Sequence, residues 1–232
     1  MRNAFATIRN SSGRNSSGKS ATLTAGASAI AFAAAMMATP ALACGTVQVV
    51  SGTCEGPVTP ASGTFENSGY ILLLTDPERL VSVFVQEGVS ISTFDNTATG
   101  TIDSNWAGTD VGTSVEVDGT ITTFNNAGQI ITDGFGVYVD QLGKIGTLNN
   151  LSGALIGNSS LVGYAGVGVY GGRIDTINNA GTIRAQLSGG IHVESGGSIG
   201  AISNSGTIVS GTAGAIDNNG STIDSITNTG TI

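Results

Sequence analysis

Residues able to do acid–base chemistry are sparse in this chain, and only one arrangement of them recurs. Asp175 and Asp224 hold the same place in two copies of a repeat, with Arg173 and Arg184 close by in sequence. Paired carboxylates beside a cation are what enzymic cleavage of polysaccharides requires. Gly200 holds that place in the intervening copy, so stacked copies would leave the acids roughly 9–10 Å apart. Such a gap reaches the inverting-glycosidase range only at its upper end. The expectation is a pair of solvated, outward carboxylates and no enzyme, with a secreted polysaccharide-degrading enzyme as the alternative.

The single histidine offers less. His192 lies between Ile191 and Val193 in an alternating run, which directs it outward as a lone exposed ring. No Gly-x-Ser-x-Gly motif accompanies it, so no Ser-His-Asp arrangement can be built. Calcium-binding nonapeptides are absent, and Gly171-Gly172, Gly189-Gly190 and Gly196-Gly197 read as turns. No catalytic residue, metal or cofactor is expected.

Cys44 and Cys54 are the two cysteines. In an oxidising compartment the pair reads as a disulfide closing a small hairpin. A metal site is disfavoured because His192 is far away in sequence. The competing reading is lipidation of Cys44, which would leave Cys54 unpaired; against it, Ala41 stands where a lipobox has Leu.

Just before Cys44 lies a segment of different character. Arg2, Arg9, Arg14 and Lys19 are four of the chain's eight basic residues, and no acid falls among the first 19 positions. An Ala-rich apolar run from Ala21 to Ala43 follows, ending in Ala41-Leu42-Ala43. Residues 1–43 therefore read as a signal peptide cleaved before Cys44, the alternative being an uncleaved membrane anchor. The remainder carries four basic residues against 16 acids, a balance of −12. That surface repels phosphate backbones, so nucleic acid is excluded as a partner.

The elements that must position these residues come from a repeat. Six segments share one register, an Ile, an apolar residue three later, an Asn two beyond, then a Gly followed by Ile or Leu: 91–102, 121–130, 145–155, 174–183, 199–208 and 223–232. A weaker first copy runs through Phe65, Asn67, Gly69 and Ile71. The starting isoleucines are 30, 24, 29, 25 and 24 residues apart. Between copies lies a third, alternating apolar cluster such as Val115-Glu-Val117, Val137-Tyr-Val139 or Ile191-His-Val193. Short alternating β-branched runs bounded by Gly and Asn are strands. Three strands per repeat predict an all-β fold, a right-handed parallel β-helix of about seven rungs. Residues 44–61 form its N-terminal cap and 62–232 its repeats. No proline interrupts the repeats after Pro77.

Strand parity puts the repeat's Asn on the same side as its apolar residue, inward, where an amide must be hydrogen-bonded. Asn96, Asn126, Asn150, Asn179, Asn204 and Asn228 are thus expected to form a ladder from rung to rung, a carbohydrate-binding row of amides being the alternative. The two longest rungs place their insertions at one corner, about 103–113 with Asp103, Trp106 and Asp110, and about 156–166 with Tyr164. Exposed aromatics there are the candidate ligand-binding residues, for a host or neighbouring-cell surface protein or a glycan.

The Ile-x-x-Ile-x-Asn-x-Gly-Thr-Ile units, clearest at 174–183, 199–208 and 223–232, together with the long-headed signal peptide ending at Ala43, resemble the passenger region of bacterial autotransporters, the type V secreted surface proteins. The resemblance covers nearly the whole chain and implies a right-handed β-helix displayed outside a Gram-negative outer membrane. It also implies an outer-membrane β-barrel translocator as partner, in the full-length product or in trans. The chain stops at Ile232 in mid-repeat, which is read as a C-terminal truncation with the last rung uncapped, or as a passenger without its own translocator.

Overall fold

The computed structural model describes residues 42–73, 80–104, 112–158 and 163–232, with the backbone alone for 42–45. Among the described residues there are strands and no helix. Strands β1 (Leu42–Gly45), β2 (Val49–Val50) and β3 (Thr53–Val58) come first. Six turns of three strands follow. They are β4 (Gly63–Asn67), β5 (Tyr70–Leu72), β6 (Val81–Val85); β7 (Ser90–Asn96), β8 (Thr101–Asp103), β9 (Thr113–Val117); and β10 (Thr120–Asn126), β11 (Gln129–Ile131), β12 (Phe135–Val139). The next three are β13 (Lys144–Asn150), β14 (Leu155–Gly157), β15 (Ala165–Tyr170); β16 (Arg173–Asn179), β17 (Thr182–Ala185), β18 (Ile191–Glu194); and β19 (Ser198–Asn204), β20 (Thr207–Ser210), β21 (Ile216–Asn218). β22 (Thr222–Asn228) begins a seventh turn.

Each strand pairs in parallel with its counterpart one turn away, so the fold is a parallel β-solenoid. First strands stack as β2-β4-β7-β10-β13-β16-β19-β22. Second and third strands form two stacks that meet at β3, which pairs with β5 through Thr53–Glu55 and with β6 through Val58. β3 therefore turns a corner and covers the starting edges of two stacks at once. Here the structure departs from the expected hairpin. β1 lies parallel to β3, with Leu42 opposite Cys54, because the chain coils from its first strand onward.

Stacking puts like side chains above one another, and only stacking removes them from water. Ile91, Ile121, Ile145, Ile174 and Ile199 are fully buried in register. Beside them Phe65, Phe94 and Phe124 stack with ring centroids 4.7 and 4.4 Å apart, and Leu148 and Ile177 continue the column. Each such side chain contributes about 1.5–3 kcal/mol by leaving water, and one rung alone could bury none of it.

Glycine follows the first strand because the chain turns there against its neighbour. A Cβ at Gly128 would lie 2.1 Å from the Gly100 carbonyl, and one at Gly206 the same distance from that of Gly181. The fourth copy differs from the register expected for it. Leu155 pairs with Gln129 and Thr182 and faces outward, whereas Ile156 pairs with Ile130 and Ile183 and is fully buried. Ala154 stands in the glycine column there, its carbonyl accepting from Thr182 as that of Gly181 accepts from Thr207. Gly153, expected in that place, makes the preceding turn at φ 82°. A one-residue slip exchanges the two faces of a strand, and the buried Ile decides the register.

Candidate functional site

The repeat asparagines make one continuous interior column. Nδ2 of Asn67 donates to Oδ1 of Asn96 at 2.8 Å, Asn96 to Asn126 at 2.7 Å, and Asn126 to Asn150 at 2.9 Å. Asn150 then donates to Asn179 at 2.8 Å, Asn179 to Asn204 and Asn204 to Asn228, both at 2.7 Å. The second amide proton goes to a backbone carbonyl at the start of the next turn's second strand, as from Asn150 to Thr182 at 3.1 Å. From Asn67 to Asn204 both protons are used inside the wall and offer nothing to a ligand, while Asn228 at the end of the column is exposed.

A second amide column runs outside, with opposite polarity. Asn178 donates to Asn149 at 2.9 Å, Asn149 to Asn125 at 2.8 Å, and Asn125 to the carboxylate of Asp95 at 2.7 Å. Asp95 can only accept, which sets the direction of the row.

The paired acids stay apart. In register, Gly200 separates Asp175 from Asp224. Asp175 is held by Arg173 and by Lys144 at 3.4 Å. The Arg173 guanidinium, and then Lys144, keep the Asp175 carboxyl below its ordinary value. Arg184 lies on β17, in the second-strand stack, and does not join them.

Of the two predicted loops, the described residues include Asp103 and Tyr164. Asp103 ends β8 and accepts a hydrogen bond from the Tyr70 hydroxyl at 2.6 Å. Burial, then Asp103, pushes that phenol up to about 12. Trp106 and Asp110 lie outside the described residues. The insertion starts from a buried polar corner, where Ser104 Oγ meets Ser114 and Thr132 hydroxyls at 3.0 and 3.1 Å. Cys54 is buried and disulfide-bonded, while the side chain of Cys44 lies outside the described residues.

Tyr164, 44% exposed, leads to a different group. Its ring lies 5.6 Å from that of Phe135, which also meets Tyr138 at 5.0 Å and Tyr170 edge-on at 5.5 Å. Tyr138 and Tyr170 are 5.2 Å apart, and Tyr170 is 5.5 Å from the His192 ring. These residues lie on β12, β15 and β18, with Tyr164 immediately ahead of β15, on the outer face of the third-strand stack. Gly168 makes room for them: a Cβ there would be 2.8 Å from the Phe135 ring.

His192 is therefore not the exposed ring expected. It does point away from the core, yet it is 6% exposed, covered by Tyr170 and flanked by two carboxylates. Nδ1 lies 3.0 Å from Asp217 and Nε2 2.9 Å from Glu194. More acids surround the rings. Tyr138 is pushed up to about 12, chiefly by burial and then by Asp140, Glu116 and Asp118. Burial and then Glu194 raise Tyr170 further. The signal for this shelf was in the third-strand alternation, which places Tyr138 and Tyr170 on the outer side of successive turns.

Fold and site together define a parallel β-solenoid with two polar columns and one aromatic, acidic face. Set against known protein families, curated proteins and solved structures, the chain matches none of them.

Proposed function

We propose that the chain is an exported bacterial surface protein whose solenoid serves as a structural and adhesive stalk outside a Gram-negative outer membrane, in the manner of an autotransporter passenger. The observation that carries this reading is the repetition of inward residues, Ile from Ile91 to Ile199 and a large apolar residue with Asn from Phe65 and Asn67 onward, joined to the basic, Ala-rich segment ahead of Cys44. A rod needs each rung to stack on the next, and the recurring inward residues supply that. The disulfide at Cys54 fits an oxidising compartment outside the cytoplasm. The reading is non-enzymatic, supported by Gly200 standing between Asp175 and Asp224 and by Arg173 and Lys144 engaging Asp175. An outer-membrane barrel is the proposed translocator, and a surface protein or glycan of another cell the proposed partner.

The test is to express the full-length chain in a Gram-negative host, sequence the N-terminus of the product, and treat intact cells with protease. Export predicts a new N-terminus at or near Cys44 in a non-cytoplasmic fraction, and supply of a barrel translocator predicts protease sensitivity on whole cells. A cytoplasmic product that retains Met1 would refute the proposal.

A further inference from the structure

The outer face of β12, β15 and β18 gathers three of the chain's four tyrosines. Around it stand Glu116, Asp118, Asp140, Glu194 and Asp217. None of the six third strands, β6, β9, β12, β15, β18 and β21, contains a lysine or arginine. Lys144 and Arg173 belong to the first-strand stack and are engaged with Asp175. On β12, β15 and β18 and the turns beside them the face therefore offers ring surface with Asp140, Glu194 and Asp217 as its acids, and His192 between the last two.

We infer that this shelf is a docking site for an arginine-bearing segment of a basic partner protein, with a guanidinium laid over the Tyr138 and Tyr170 rings and drawn by Asp140 and Glu194. Charge selects the ligand sign, since Asp140, Glu194 and Asp217 stand beside the rings and His192 is hydrogen-bonded to the last two. Ring geometry selects within the cations. The half-exposed Tyr138 and Tyr170 rings lie side by side, tilted by 41°, and such ring faces take a flat guanidinium that stacks, whereas a compact ammonium is best held by a closed cage. Acid-flanked aromatic faces also suit neutral sugars, but that binding would be insensitive to salt, whereas attraction between exposed charges is screened over about 8–10 Å. The inference deepens the adhesive role proposed above and rests on it for its setting. Binding in solution is read separately from export, so either can fail alone.

The experiment is a titration of the full-length chain, followed through tyrosine ring resonances, with four probes: an Arg-Gly repeat peptide, its Lys-Gly counterpart, a Glu-Gly counterpart and maltohexaose. The expected result is a shift of the Tyr138 and Tyr170 signals with the Arg-Gly peptide, weaker with Lys-Gly, and loss of affinity as salt is raised. Tyr138→Ala or Tyr170→Ala should weaken binding about tenfold. In case either disturbs packing, Asp140→Asn and Glu194→Gln keep every ring and should each weaken it severalfold. Asp224→Asn, on the first-strand stack, should leave it unchanged. Ring shifts with maltohexaose alone, no shift with any probe, or an equal loss from Asp224→Asn would overturn the inference.

Discussion

The first-strand and third-strand stacks are laid down by the same coil of backbone, yet they differ in what varies. Along the first strands the inward side chains scarcely change. Ile recurs at one place, a large apolar residue at the next, and Asn at the last, each fully or almost fully buried from β7 to β19. Along the third strands the inward valines also recur, but the outward places read Glu116, Tyr138, Gly168, His192 and Asp217 in successive turns. Repetition marks the residues that each rung must supply to its neighbours. Variation on an otherwise constant frame marks the place where one rung does something the others do not.

Breaking a column should cost most. Gly206→Ala places a methyl 2.1 Å from the Gly181 carbonyl, where neither strand can retreat without opening the ladder. It should destabilise by about 1–3 kcal/mol in denaturant unfolding. Ala154→Gly, at the same place in the fourth turn, should change stability by under about 1 kcal/mol, which separates the clash from the backbone conformation.

A smaller effect is expected on the variable face. Gly168→Ala pushes against the Phe135 and Tyr170 rings rather than against backbone, and side chains at a surface can turn. It should cost about 1 kcal/mol while changing the ring-current shifts of Phe135 and Tyr170, read by aromatic NMR. An unchanged aromatic spectrum would mean that the rings do not lie over Gly168.

The effect of pH is smaller again, and its sign differs between the raised phenols and Asp175. Tyr70 and Tyr138 ionise near 12 in the folded chain against an ordinary 10.0, chiefly through burial, and Tyr170 is raised too. A raised phenol contributes stability that is complete below 10.0 and lost as pH climbs through the folded value. Unfolding temperature should thus fall between pH 10 and 12, in step with tyrosinate absorbance. Asp175 is lowered, so its contribution is present above 3.8 and lost as pH drops through the folded value. Its carboxylate is half in water, so Asp175→Asn should cost less than about 0.5 kcal/mol.

Much of the frame was legible because stacking forces identical residues into identical places. The spacing of Ile91, Phe94 and Asn96, repeated at 121–126 and beyond, contains both the strand parity and the rung length. What escaped was local. In the fourth copy Gly153 imitates the repeat glycine, yet burial of Ile156 sets the register one residue later. At His192 parity gave the direction correctly but not the burial, which depends on Tyr170 and on Asp217 one turn away. The alternation turns Tyr138 and Tyr170 outward, but the convergence of Phe135 and Tyr164 with them across Gly168 is announced by no spacing within one repeat. The N-terminal strands escaped because β1 and β3 pair in parallel across a turn too short to resemble the later ones.

The division of labour between the two stacks is tested most directly by chemical denaturation of two variants of the full-length chain side by side. Asn150→Ala removes a buried amide that accepts from Asn126 and donates to Asn179 and Thr182. Tyr138→Ser removes a half-exposed ring from the shelf. With the interior groups left unpaired, Asn150→Ala should lower the unfolding free energy by about 2–4 kcal/mol. Tyr138→Ser should lower it by no more than about 1 kcal/mol. Equal losses, or a larger loss at Tyr138, would contradict the assignment of stability to the columns and of recognition to the shelf.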